Sequence, residues 1–273
     1  MKWAIDVSSY DAVLEHGAIQ AVDWKRARDE GEISLAIIKC SEGLRQDPAF
    51  NIQWKAASGI LPRAAYHFFR SNVNSITQAQ SCWSYLSAAG FTKGDYLILD
   101  YETLDGTNPS KSLLSAASWL YEMEKYGVTP MIYTYPGFWQ SFVGVQVGWA
   151  AKYPLVLAQW PRDTWILNYS PTIFNAAKFT TLKKDIESGI LKPVALKPWS
   201  SPAIWQFSAR VDSKAIPGHP SVKKVVDYNA VLMPLTQAAV ENPGTGGEIG
   251  GNAPADPSAQ KRCPCCGQVI KDG

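Results

Sequence analysis

The sequence predicts an α/β barrel, and three observations carry that expectation. Short apolar runs of β type alternate with amphipathic, helix-like segments from residue 3 onward, a rhythm that implies parallel strands joined by crossover helices. Eight strand candidates fall between residues 3 and 228, which suits a closed barrel better than an open sheet. No Gly-rich phosphate loop follows the first candidate, as a doubly wound nucleotide-binding fold would require.

The strand candidates are Trp3 to Val7, Leu35 to Lys39, Ala64 to Phe69, Tyr96 to Tyr101, Met131 to Thr134, Leu155 to Gln159, Ile204 to Phe207 and Val225 to Tyr228. Each is rich in apolar, β-branched or aromatic residues. Between the first five lie helix-like stretches at Asp23 to Glu30, Ile52 to Ser58, Ile76 to Ala89 and Lys111 to Tyr126. The β/α pattern is complete early and less regular late. Residues 161–199 interrupt it with a helix expected around Phe174 to Ser188 that has no obvious partner strand. This segment reads as an insertion, a lid or a wall of a substrate groove. The barrel is expected over residues 1–237. Beyond it the composition turns to Gly, Pro and small residues, so 238–260 reads as a flexible linker, followed by a Cys-containing tail over 261–273.

Composition narrows the function. A chain of 273 residues with 46% hydrophobic and 18% charged residues has enough apolar material for one large core. A net charge of +2, without aligned Lys/Arg clusters, argues against nucleic acid as the partner. No run approaches the 18 apolar residues of a membrane span, and Met1-Lys2 leads at once into strand-like sequence rather than a signal peptide. The 11 Trp are expected mostly in the core, although indole faces also stack on sugar rings. Five Cys, at 40, 82, 263, 265 and 266, form no disulfide framework and fit synthesis in a reducing compartment. Cys263 and Cys266 make one Cys-x-x-Cys pair, half a zinc site, which a second chain would complete in a tail-mediated dimer; the alternative is a tail with reactive thiols. No metal or cofactor is expected in the barrel.

Active sites of such barrels sit at the C-terminal ends of the strands. The polar residues at those ends are Asp6, Lys39 with Glu42, His67 with Arg70, Asp100 with Glu102, Tyr133, Gln159, Gln206 and Asp227. Side chains alternate along a strand, so Asp100 and Glu102 point the same way. Burying two acids side by side is costly unless the pair has work to do, and acid catalysis on a glycosidic bond is such work. A strand that merely finishes in polar residues at its rim is the other reading of that hexapeptide. Asp6 and Asp227 bring the carboxylates at the expected mouth to four.

Six segments in order resemble glycoside hydrolase family 25, the lysozymes typified by phage and fungal N-acetylmuramidases. They are Ala4-Ile5-Asp6-Val7-Ser8, Lys39-Cys40-Ser41-Glu42-Gly43, Tyr66-His67-Phe68, Asp100-Tyr101-Glu102, Trp205-Gln206-Phe207-Ser208 and Val226-Asp227-Tyr228-Asn229. Together they cover residues 3 to about 235. The first Gly of the opening motif is Ala4 here, and residues 161–199 look longer than the family usually has. The resemblance implies an irregular TIM-like barrel of five β/α units followed by additional strands. It also implies cleavage of the β-1,4 bond between N-acetylmuramic acid and N-acetylglucosamine in peptidoglycan. Carried over by position, Glu102 is the general acid and Asp100 its partner, with Asp6 and Asp227 lining the site. Repulsion from the other carboxylates is expected to hold the proton on Glu102, while Asp100 stays ionised as a nucleophile or steers the substrate's own 2-acetamido group. The acetamido-assisted route is favoured, because the bond cleaved lies next to an acetamido sugar. Tyr66, Tyr133, Trp160 and Trp205 are candidate sugar-stacking groups, with Gln159 and Gln206 as further substrate contacts.

Two rivals remain at this stage. A chitinase-like hydrolase carries Asp-x-x-Asp-x-Asp-x-Glu, of which this chain has Asp95, Asp100 and Glu102 but Ile98 at the second Asp. A catalytically silent wall-binding module is the other, although four intact carboxylates argue against it. The expected setting is synthesis in a host cytoplasm without a signal peptide and release to the wall by a holin-like route.

Overall fold

The computed structural model describes residues 1–15, 18–144, 147–160, 176–220 and 225–235. Strand β1 (Lys2–Val7) leads through the hairpin β2 (Val13–Glu15) and β3 (Ala18–Gln20) to helix α1 (Trp24–Gly31) and β4 (Ile33–Glu42). The chain doubles back into the short β5 (Arg45–Gln46), then runs through α2 (Phe50–Ala57), β6 (Arg63–Phe68), α3 (Ser75–Ala88), β7 (Tyr96–Asp100), α4 (Pro109–Lys125) and β8 (Met131–Thr134). Short helical turns connect β8 to β9 (Leu155–Ala158), and α5 (Ala176–Glu187) precedes β10 (Ile204–Asp212) and β11 (Val225–Val231).

Strands β1, β4, β6, β7, β8, β9 and β10 follow one another in parallel, and β11 fills the gap between β10 and β1 antiparallel to both, closing an eight-stranded barrel. All eight expected strands are present. The direction of the last one is the departure. In its described part the β10–β11 link holds only a 3-10 turn at Ser213–Ala215, so the chain returns alongside β10 rather than crossing over behind a helix.

Local chemistry starts the helices where the sequence suggests. Asp23, Asn74 and Asn108 act as N-caps, their side-chain oxygens accepting from Arg26, Thr77 and Ser110 N–H groups, and Pro109 occupies the first turn of α4. Gly218 seats the β10–β11 link on α1. Its φ is +81°, and a Cβ there would lie 2.3 Å from the Asp23 carbonyl oxygen.

Alternation along the strands divides the core into two layers. Ala4, Leu35, Ile37, Ala64, Ile98, Met131, Val156 and Ile204 fill the lower barrel interior. The outward residues, among them Trp3, Ile5, Ile38, Leu97, Leu99, Trp205 and Phe207, pack under the helices. Trp3, Trp24, Trp54, Trp119, Trp139, Trp199 and Trp205 are buried, which meets the expectation that most indoles belong to the core. Arg63 and Asp95 form a buried two-pronged ion pair (2.9 and 2.7 Å) where β6 and β7 begin, with the guanidinium 4.1 Å from the Trp54 ring centre.

Three expectations are corrected here. His67 does not face the mouth: it lies on the outward side of β6, fully buried, stacked on Trp119, with Nδ1 2.9 Å from Ser41 Oγ and Nε2 3.2 Å from Gln78 Oε1. Helix α5 is no lid. Its Phe179, Leu182 and Ile186 are buried in the outer layer, Phe179 edge-on to Tyr228 at 4.6 Å. Asp95, the first acid of the rival chitinase-type row, lies at the N-terminal end of β7 in its ion pair with Arg63, and the inward position of the second acid of that row is the apolar Ile98. Residues 161–175 of the expected insertion, the 238–260 linker and the 261–273 tail with Cys263 and Cys266 lie outside the described residues.

Candidate active site

The parallel strands carry apolar side chains in their lower inward positions and polar ones in their last. Ala4 is followed inward by Asp6, Ile37 by Lys39, Ala64 by Tyr66 and Phe68, Ile98 by Asp100 and Glu102, Met131 by Tyr133, and Ile204 by Gln206. A cavity of about 290 Å³ opens at that end, lined by these polar residues together with Asp227 and Asn229 of β11 and Ser8, Tyr10 and Asp11 of the loop after β1. Asp227 reaches the mouth for a reason the strand-end rule does not cover. Because β11 runs antiparallel, its early residues lie at the top, and Asp227 pairs in register with Asp6.

Asp6 and Asp227 form one pair. Asp6 Oδ2 accepts from Asn229 Nδ2 at 2.8 Å and from Gln206 Nε2 at 3.2 Å, and Gln206 Nε2 also reaches Asp227 Oδ2 at 3.4 Å. Gln206 Oε1 accepts from the Tyr133 hydroxyl at 3.1 Å, which fixes the orientation of its amide. Both carboxyls thus share the Gln206 amide donor. Burial raises the proton affinity of both; at Asp227 repulsion from Asp6 adds to it, and Asp227 is pushed well above the usual carboxylate range.

Asp100 and Glu102 form the second pair. Burial, then repulsion from Glu102, drives Asp100 well above the usual range. Burial also raises Glu102, opposed by the positive charges of Lys39 and Arg70 and assisted by Asp6. Asp100 is the deeper of the two, and burial is the largest cause of the raised proton affinity at both. Among the described residues no donor reaches the buried Oδ1 of Asp100. Tyr66 and Tyr133 keep their phenolic protons, pushed up by burial and then by the surrounding carboxylates.

The other expected contacts divide. Tyr66, Tyr133 and Gln206 line the cavity. Trp205 is corrected: it faces outward, 1% exposed, and its indole N–H donates to the Gln159 carbonyl, so no sugar can stack on it. Gln159 is not among the cavity-lining residues; its side-chain oxygen accepts from the Val194 N–H at 2.7 Å. Trp160 is 51% exposed on the strand-end side, outside the cavity lining. Asn229, Phe68 and Tyr10 line the cavity without having been singled out. Asn229 was detectable, since it stands two residues from Asp227 and therefore on the same face. Among the described residues no group of three or more His, Cys, Asp and Glu side chains is arranged to hold a metal ion.

The family model for Glycosyl hydrolases family 25 matches residues 5–216. An N,O-diacetylmuramidase of a Chalaropsis species is 31% identical over 170 residues, 56% of this chain and 75% of that protein. One from Arthroderma benhamiae is 30% identical over 148 residues, 50% of this chain and 62% of that protein, so the match spans less than two thirds of that relative's length. Among solved structures, a bacterial lysozyme from Streptomyces coelicolor superposes with a TM-score of 0.61 at 21% identity, covering 84% of this chain and 91% of the other.

Proposed function

The chain belongs to glycosyl hydrolases family 25, and from that premise we propose that it hydrolyses the β-1,4 bond between N-acetylmuramic acid and N-acetylglucosamine in peptidoglycan. The observation that carries the reading is the convergence of two carboxyl pairs, Asp100 with Glu102 and Asp6 with Asp227, on one cavity at the strand ends. Breaking this bond needs a proton on the leaving oxygen and relief of positive charge at the anomeric carbon. Glu102, the shallower member of its pair, donates the proton. Asp100, which lines the cavity, receives the N–H of the substrate's 2-acetamido group on its carboxylate, and the acetamido oxygen attacks the anomeric carbon.

A hydrogen bond from that N–H favours the ionised form of Asp100. A proton shared by the pair is thereby moved toward Glu102, where the leaving group needs it. Substrate binding and arming of the acid become one event. Asp6 and Asp227, held by Asn229 and Gln206, steer water in the later hydrolytic step.

Mass spectrometry of digested peptidoglycan tests the assignment. Fragments ending in reducing N-acetylmuramic acid are expected. Reducing N-acetylglucosamine ends, or release of oligosaccharides from chitin but not from peptidoglycan, would reject it.

A further inference from the structure

Five carboxyl side chains line the cavity and, among the described residues, one cation, Lys39. Its side chain is only 6% exposed, and a buried ammonium needs close compensation for its lost hydration. Glu42 supplies it: Lys39 Nζ lies 2.7 Å from Glu42 Oε2, and the Tyr10 and Phe68 rings flank the ammonium at 5.2 Å each. Glu42 is itself gripped by the Nε and Nη2 of Arg70, and Arg70 Nη1 reaches Asp105 Oδ1 at 2.9 Å. The main chain of Arg70 is held at both its N–H and its carbonyl by the Gln78 amide of α3 (3.0 and 2.9 Å). Charges of alternating sign therefore run from the loop after β7 to β4 and end in a cation that lines the same cavity as Asp100 and Glu102.

We propose that Lys39, clamped by Glu42, is the positioning residue that decides at which pH the Asp100–Glu102 pair takes up and releases its proton. The inference rests on the reading of that pair as acid and partner. An ammonium beside a carboxyl favours the charged form and so opposes burial. Around Glu102, burial and the charge of Asp6 hold the proton on, whereas Lys39 and then Arg70 draw it off. Around Asp100, burial and Glu102 hold it on, Lys39 draws it off, and Asp6 and Glu42 add smaller repulsions. Tyr66, Tyr133, Asp6 and Asp227, from β6, β8, β1 and β11, and Asp11 of the loop after β1 complete the titratable surroundings.

The test is a 13C NMR titration of Asp- and Glu-labelled full-length protein, run beside pH–rate profiles of wall lysis, for wild type, Lys39→Met, Lys39→Arg and Glu42→Gln. In Lys39→Met the titrations of Asp100 and Glu102 are expected to move up by about one pH unit, with both limbs of the rate profile moving the same way. Lys39→Arg keeps the charge and restores the wild-type titrations. Glu42→Gln removes a negative charge and leaves the ammonium unmatched, so Asp100 titrates lower. Unshifted carboxyls in Lys39→Met, or a rate loss equal at every pH, would overturn the inference. Should Lys39→Met not fold, an unchanged or higher Asp100 titration in Glu42→Gln overturns it. A wild-type protein that leaves walls intact rejects the proposed function, and the NMR titration still decides the role of Lys39.

Discussion

At the scale of single residues the site is defined by how deeply each acid is buried. Asp100 ends β7 and Glu102 follows two residues on, and burial raises the proton affinity of both. Two substitutions separate their roles. Glu102→Gln removes the acid and is expected to lower the rate of wall lysis by about 10²- to 10⁴-fold with an unchanged near-ultraviolet circular dichroism spectrum. Wild-type clearing of a peptidoglycan suspension by this variant would contradict the assignment. Asp100→Asn is expected to be nearly as inactive but more stable at pH 7. The proton affinity of Asp100 is raised by folding, so the folded state retains a proton that the unfolded chain releases above about pH 4, and stability falls as pH rises from there. Asn carries no such penalty, and each kcal/mol relieved raises Tm by about 2–4 °C in a domain of this size. Calorimetry is expected to show melting curves that coincide below about pH 4 and separate above it. Most of these residues were readable in advance because period-2 alternation needs only the strand and its direction of burial. The depth at which each acid is buried was not, since it depends on a cavity that several strands build together.

At the scale of elements, motif residues serve two ends of the barrel. The Glu42-Gly43 step is the turn between β4 and β5: Gly43 has φ +55°, a conformation suited to glycine, and this turn aims Glu42 at Lys39 and Arg70. At the other end Asp95 and Arg63 tie the starts of β7 and β6. Asp95→Asn leaves the guanidinium buried beside a neutral amide and is expected to cost about 3–5 kcal/mol, read as a lower urea midpoint, with little change in kcat at 20 °C. An unchanged midpoint would mean that solvent already relieves this pair. Helix α5 shows why the late β/α rhythm was hard to read. Its apolar face is ordinary, but it packs beside Tyr228 and Trp3 at the β11–β1 seam, far in sequence from the residues it covers.

At the scale of the whole molecule, β11 completes the ring by pairing with both β10 and β1, and its last residue, Val231, partners Lys2. The barrel is thus closed before the residues expected to form the linker. Removing 238–273 is expected to leave Tm and the lytic rate on soluble glycan fragments unchanged, whereas truncation before Val225 should abolish folding; a lowered Tm in the first truncation would show that the tail supports the barrel. By itself the sequence determined the eight strands, the first four helices and the four carboxyl positions, because alternation and helical periodicity act between neighbours in the chain. Only the tertiary structure decided that the eighth strand runs backwards, that His67 and Trp205 face the outer core and that Glu42 and Arg70 hold Lys39 in place. Those outcomes depend on which surfaces meet when the sheet closes and on how much water each charge then loses, and both are set by residues up to some two hundred positions apart, as Asp6 and Gln206 are.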